Sequence, residues 1–167
     1  MPERASGSVL VAAVRHGALA GLVATVPMTL VMLAGHRLFE PRQAKLPPRL
    51  ITDRLLGREA SDEAGRWRAL AAHFGFGAAT GALFALWSRP SAGKGVVFGL
   101  AVWAVSYLGW VPGLRLMPPA TRQPARRNAI MIAAHVVWGL ALGGVVAGLA
   151  RRRRARSSHR SAMVSRF

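Results

Sequence analysis

The sequence contains no cysteine, only six acidic residues and, in four long stretches, no charged residue at all. The absence of cysteine excludes disulfides, thiolate nucleophiles and metal sites with sulfur ligands. Two enzyme signatures are also missing. There is no HExxH motif, and the stretch SAGKG at 91–95 lacks the glycine spacing and the Ser or Thr after Lys of a phosphate-binding loop. The sequence therefore predicts no enzyme, no cofactor and no metal ion.

The charge-free stretches are long enough to cross a membrane. They occupy residues 17–35, 69–87, 95–113 and 129–150 and are 19, 19, 19 and 22 residues long. About 20 apolar residues, rising 1.5 Å each, cross a hydrocarbon layer about 30 Å thick. A soluble bundle would need polar faces in these stretches, so we predict an all-α integral membrane four-helix bundle. Its spans are expected at about residues 13–35, 67–88, 95–114 and 129–150.

The positive charge lies outside the spans. The formal net charge is +17, and 21 of the 23 basic residues are arginine, which suggests a GC-rich bacterial source. Residues 1–150 are expected to form a single transmembrane domain. The basic tail, residues 151–167, begins with four arginines next to the last span, so we predict a disordered segment that binds anionic lipids of the bilayer and not nucleic acid.

The arginines also bear on orientation. Arg151 to Arg154 abut the fourth span and favour a cytoplasmic tail, with both termini inside. Arg126 and Arg127, at the other end of the same span, favour the opposite orientation, and the basic residues divide almost equally, 11 against 12, between the two sides. The predicted location is the bacterial cytoplasmic (inner) membrane, multi-pass, with both termini in the cytoplasm.

The chain contains an internal repeat. A shift of 78 residues aligns GALAGL at 17–22 with GVVFGL at 95–100, and a shift of 62 aligns the pattern AAHxxxGxxxG at 71–81 with 133–143. Each copy crosses the membrane twice, so both copies have the same orientation. We therefore predict two parallel helical-hairpin repeats related by a pseudo-two-fold axis along the membrane normal.

The first copy has the longer loop, by 16 residues. After Pro47–Pro48, apolar residues between Leu50 and Leu56 recur at helical spacing, which predicts a short amphipathic helix on the membrane surface. The repeat also pairs Arg37 with Arg115 and predicts that the two arginines lie at equal depth.

Each span carries two glycines four residues apart. Glycines at this spacing lie on one helix face and let two backbones approach closely. We predict that these residues form helix-packing surfaces within the chain or in a homodimer. They are Gly17, Gly21, Gly77, Gly81, Gly95, Gly99, Gly139 and Gly143.

Two histidines share these faces and form a candidate polar site. His73 and His135 each lie four residues before a glycine pair, and His36, at the end of the first span, faces the same side of the membrane. Such a site could relay protons or hold a metal. The simpler interpretation is that neutral histidines donate to carbonyls across close helix contacts. The spans contain no carboxylate to orient them, which favours the simpler interpretation.

Three short motifs give the sequence a family resemblance. Pro47-Pro48-Arg49 after the first span, Pro118-Pro119 after the third and AHVVWG at 134–139 resemble the YagU-like family of small bacterial inner-membrane proteins of unknown function. The similarity extends over most of residues 10–150. The resemblance implies a location and a fold but no catalytic residues.

Two function classes follow for this multi-pass membrane protein. The first is a non-enzymatic structural or accessory protein. The second is a small transporter or proton-conducting element that uses the paired histidines. Four closely packed, glycine-rich helices leave little room for a pore inside one chain, and this favours the first class.

Overall fold

The computed structural model describes residues 3–39, 46–57, 61–87 and 90–164, and within these ranges it is helical without any β-strand. The helices are α1 (Glu3–Phe39), α2 (Pro47–Leu55), α3 (Asp62–Ala85), α4 (Ala92–Ala104), α5 (Val111–Gly113) and α6 (Ala125–Val164). A π-helical turn, Val105–Trp110, joins α4 to α5, and a 3-10 turn, Ala120–Arg122, precedes α6.

Helix ends follow local sequence signals. Ser61 Oγ accepts a hydrogen bond from the Ala64 amide at 3.1 Å at the start of α3, and Ser91 Oγ accepts one from the Lys94 amide at 3.2 Å at the start of α4. Both satisfy donors that the first turn leaves free. Gly57, with φ +77°, directly follows the residue that caps α2.

Three helical segments are long and apolar enough to cross a membrane: Leu10–Phe39, Ala92–Gly113 and Ala125–Arg152. The prediction of an all-helical fold is confirmed for the described residues, and three of the four expected spans are helices long and apolar enough to cross a membrane. The remaining helix, α3, has 24 residues, of which the first seven include four charged side chains. His73, Thr80 and several glycines further lower its hydropathy.

The helices pack as two antiparallel pairs, α1 with α3 and α4 with α6, and α1 also packs along α6. Bringing α1 and α6 together forms the core. The core residues of α1 are alanines and methionines, whereas most of those of α6 are larger. The core residues are Ala20, Ala24, Met28 and Met32 on α1 and Met131, Ala134, Trp138, Leu142 and Val146 on α6.

A short connection joins α3 to α4, so these two helices are also neighbours, but they meet through large side chains and not through glycines. Their contacts are aromatic: the Phe84 and Phe98 ring centroids are 5.3 Å apart, and those of Phe76 and Trp110, at the opposite end, are 6.3 Å apart. Large side chains hold two backbones further apart than glycines do, which leaves space between α3 and α4.

Arg37 and Arg115 have different backbone conformations. Arg37 lies in the last turn of α1, which continues past Gly35 to Phe39. In the second copy of the repeat, helix α5 ends at Gly113, which the repeat pairs with Gly35. Arg115 lies in the turn that follows, with φ +56°. Hydrogen bonds from the Arg115 amide to the Pro112 carbonyl and from the Leu116 amide to the Val111 carbonyl, 2.9 and 3.0 Å long, close this helix end.

In the tail, which the sequence predicts to be disordered, α6 continues as far as Val164. Arginine and alanine are good helix formers, and residues 151–164 contain neither glycine nor proline to end the helix. Residues 165–167 lie outside the described residues.

Candidate functional site

The space between α3 and α4 is a cavity of about 270 Å³, here called the α3–α4 cavity. One wall is α3, from Ala72 to Thr80, and the opposite wall is the end of α4 with the π-helical turn. The remaining sides come from α1, α6 and α2. Side chains from these elements are Thr25, Met28, Met32, Pro48, Ile51, Thr52, Leu55, Leu56, His135 and Trp138.

His73 and His135 both line this cavity. His135 is only 6% exposed, and its Nδ1 lies 2.7 Å from the Met131 carbonyl one turn earlier in α6. The His73 ring stands edge-on to Phe74, with the centroids 6.0 Å apart. His73 Nε2 is buried and has no hydrogen-bond partner among the described residues.

The third predicted histidine lies elsewhere. His36 lines a separate small hollow with Arg127, Ile130 and Met131. The structure therefore brings together two of the three candidate histidines. The end of α1 packs on the start of α6, which separates His36 from the cavity.

The π-helical turn contributes polar groups that the sequence analysis did not single out. Ser106 and Tyr107 are both buried. The Tyr107 hydroxyl points to the Met131 sulfur at 3.5 Å, and the Trp110 indole donates to Ser106 Oγ at 3.2 Å. The Tyr107 ring also stands edge-on to His135 at 6.1 Å. The signal available in the sequence was the presence of two polar residues, Ser106 and Tyr107, inside the charge-free stretch 95–113.

All eight predicted glycines are buried, and their close contacts lie within the chain. A methyl group on Gly21 would overlap with the Gly77 carbonyl, and one on Gly95 with the Gly139 carbonyl. The two pairs are not identical: Gly21 opposes Gly77, whereas its counterpart Gly99 opposes the His135 carbonyl. The second pair is therefore displaced by about one helical turn.

The end of the cavity near the long loops is covered by α2, whose position depends on ion pairs. Arg49 Nε lies 2.9 Å from Asp53 Oδ1, and Arg49 Nη1 donates to the Asp62 carbonyl at 2.9 Å. Asp53 also pairs with Arg68 of α3 at 3.4 Å. These side chains tie α2 to the start of α3, and the sequence analysis missed them.

A second anchor joins α2 to the loop after α5. Arg54 Nη1 donates to the Leu116 carbonyl at 2.6 Å. The amphipathic helix is present, but it does not lie flat with all its apolar residues towards lipid. Leu50 and Ile51 pack on the core, whereas Leu55 and Leu56 are 52% and 65% exposed.

The chemistry of the cavity wall is that of neutral side chains. Its lining includes aromatic rings, methionines, hydroxyls and the two imidazoles, and no side chain with a permanent charge. In the described part of the chain, no three His, Asp or Glu residues converge as metal ligands would. This arrangement can hold an apolar molecule and offer it hydrogen bonds.

Comparison with curated proteins and with solved structures gives no significant match. A family model described as "Protein of unknown function (DUF1440)" matches residues 58–143, more than half of the chain. The matched segment covers α3, α4 and α6 as far as Gly143, and with them both histidines of the cavity. The narrower YagU-like resemblance stays a prediction. The chain belongs to the uncharacterised DUF1440 family.

Proposed function

We propose that the protein is a four-span, multi-pass membrane protein that catalyses no reaction and has a structural or accessory role. The observation that carries this proposal is the close glycine packing of α1 with α3 and of α4 with α6. The interior holds a neutral cavity covered at one end by α2. Such an interior suits a protein that binds or supports other membrane components.

The fourth span in this proposal is α3. It runs antiparallel to α1, with Gly77 against Gly21 and Gly81 against Gly17, so it shares the depth of a helix that is apolar enough to span. Its exposed apolar side chains include Leu70 and Leu83, which are 38% and 59% exposed. Exposed apolar side chains along the helix suit contact with lipid.

The repeat and the membrane assignment belong to the same proposal. Two similarly packed, antiparallel hairpins support duplication, and the one-turn displacement and the π-helical turn would then be later differences between the copies. We place the protein in a bacterial inner membrane with both termini in the cytoplasm, where the tail would bind anionic lipids. A YagU-like relationship and a homodimer are compatible with this arrangement, and nucleic acid is not an expected partner.

The alternative is a small transporter or proton-conducting element. One specific observation favours it: His73 and His135 line the same cavity. Imidazole is the side chain best suited to gain and lose a proton near neutral pH. His135, however, already has a contact with its own helix, which suits a structural role.

Proton flux into proteoliposomes separates the two functions. For the accessory role we expect purified protein to give no more flux than empty liposomes under an imposed pH gradient, with a protonophore as the positive control. Flux that disappears in His73→Asn and His135→Asn, because Asn does not titrate, would establish the alternative instead. His36→Asn is the matched control, since His36 lies outside the cavity.

A further inference from the structure

Three arginines from three different parts of the fold line one hollow of about 190 Å³ at the loop end of the molecule. Arg54 comes from α2, Arg122 from the 3-10 turn and Arg127 from the first turn of α6. This hollow, here called the arginine pocket, has no acidic side chain in the described part of its lining. Like charges gathered around one hollow repel one another, and an anion bound between them would offset that repulsion.

Hydrogen bonds fix the walls of the arginine pocket. Arg54 Nη1 donates to the Leu116 carbonyl at 2.6 Å, and Leu116 itself lines the pocket, so the guanidinium lies at the wall. Arg54 donates through Nη1 alone, and its Nη2 has no partner among the described residues. The Gln123 side-chain amide donates to the Pro118 carbonyl at 2.7 Å and fixes the loop on the other side. The pocket is therefore formed before any ligand enters.

The acidic side chains near α2 are engaged elsewhere. Asp53 pairs with Arg49 and Arg68, and Asp62 also contacts Arg49. Arg122 is exposed and forms no ion pair with a carboxylate in the described part of the chain. A guanidinium presents parallel N–H donors that match two oxygens of a phosphate group, so phosphate is an anion that suits this pocket.

The place of the pocket in the chain indicates where such a phosphate would come from. The apolar segment Ala92–Gly113 ends just before the loop that forms the pocket, and the next such segment begins at Ala125. The pocket thus lies where two candidate spans reach the membrane surface, at the level of the phospholipid headgroups. Its volume is below the roughly 300–1,000 Å³ of sites for drug-sized molecules, which suits a single headgroup.

Apolar side chains next to the pocket suit the rest of a lipid. Leu55 directly follows Arg54 and is 52% exposed, and Leu114, at the end of α5, is 60% exposed. Both can contact acyl chains while the arginines hold the headgroup. A lipid with a net negative charge fits better than a zwitterionic one, because the cation of a choline headgroup would be repelled by the three arginines.

We propose that the arginine pocket binds the phosphate group of an anionic phospholipid, and that Arg54, Arg122 and Arg127 donate hydrogen bonds to its oxygens. This site is distinct from the basic tail, which lies at the opposite end of α6. The inference rests on the proposed membrane location and not on the accessory role.

The test compares dioctanoyl-phosphatidylglycerol, dioctanoyl-phosphatidylcholine and inorganic phosphate. All three contain phosphate, but the second carries a compensating cation and the third has no acyl chains. Each is titrated against full-length protein in non-ionic detergent at constant ionic strength while the thermal unfolding midpoint is recorded, because a ligand of the folded state raises it. We expect a saturable rise with phosphatidylglycerol only. No rise with phosphatidylglycerol, or an equal rise with either of the other probes, overturns the proposal.

Three variants locate the site. Arg122→Gln and Arg127→Gln should each weaken phosphatidylglycerol binding by about three- to tenfold, because one charge-assisted contact is lost. Arg151→Gln is the matched control, since it removes the same charge from an exposed position at the far end of the apolar part of α6. It should bind the lipid like the wild type.

Arg122 is exposed, so Arg122→Gln should leave the unfolding midpoint without lipid unchanged. This variant serves on its own if Arg127→Gln is unstable. Wild-type affinity in Arg122→Gln, or equal weakening by Arg151→Gln, would refute the assigned pocket. Either result would leave the accessory role standing, because proton flux tests that role separately.

Discussion

Two glycines of α3, only two residues apart, have opposite surroundings. A methyl group on Gly77 would meet the Thr25 hydroxyl of α1, whereas one on Gly75 would have no described atom within 4 Å. The same contrast occurs in α6, where Gly139 faces the Gly95 backbone and Gly144 faces open space. Contact with the neighbouring helix, and not helix propensity, therefore decides whether adding a side chain at one of these glycines destabilises the protein.

We expect Gly77→Leu and Gly139→Leu to destabilise the protein by about 1–3 kcal/mol or more, because the side chain forces two packed helices apart. Thermal unfolding in detergent would measure the loss. Gly75→Leu and Gly144→Leu are the matched controls, and they should be neutral or slightly stabilising because leucine is the better helix former. Equal midpoints for all four variants would argue against the close helix packing.

At the scale of single elements, α2 is the part whose position depends most on charge. The Arg49 and Asp53 side chains are only 10% and 9% exposed, and Arg68 completes the group from α3. Buried charges are stable only while paired, so loss of one carboxylate affects both arginines. The ion-pair group thus holds in place the helix that covers one end of the α3–α4 cavity.

Asp53→Asn should loosen α2, because Arg49 and Arg68 lose a shared carboxylate; the expected loss is about 1–3 kcal/mol. Limited digestion with trypsin, followed by mass spectrometry of fragments ending at Arg54, would detect faster cleavage in α2. Glu63→Gln removes an exposed carboxylate from the first turn of α3 and should digest at the wild-type rate. The same rate in both variants would mean that the ion pairs do not hold α2.

At the scale of the whole molecule, the position of α3 decides the topology. The loop-side elements, α2 and the loop after α5, lie together through the Arg54–Leu116 hydrogen bond. If α3 crosses the membrane, its start lies on that side and its connection to α4 on the other. The chain has no cysteine, so single cysteines can report on sidedness without background.

Ala64→Cys and Thr121→Cys should react with a membrane-impermeant maleimide in spheroplasts, and Gly93→Cys only in inverted vesicles. All three positions are exposed, and they flank α3, α4 and α6. Reversed labelling of all three would correct the proposed orientation and leave the four spans intact. Labelling of Ala64→Cys and Gly93→Cys from the same side would show that α3 does not cross.

The class of the molecule could be predicted from sequence, because membrane helices follow from local properties. Apolar runs of sufficient length identify α1, α4 and α6 without knowledge of their neighbours. Glycines four residues apart lie on one face of any helix, but spacing alone does not bury them, since Gly109 and Gly113 have the same spacing and are exposed. Helix propensity is local in the same way, and α6 continues beyond the apolar run as far as Val164.

Only the tertiary structure decided what the helices enclose. The cavity exists because glycines bring α1 close to α3 and α4 close to α6, whereas aromatic side chains separate α3 from α4. No single-residue pattern encodes that difference, since it depends on which helices pair and in which register. The same pairing puts His73 and His135 on one cavity and leaves His36 in a separate hollow, because contacts distant in sequence decide which side chains meet.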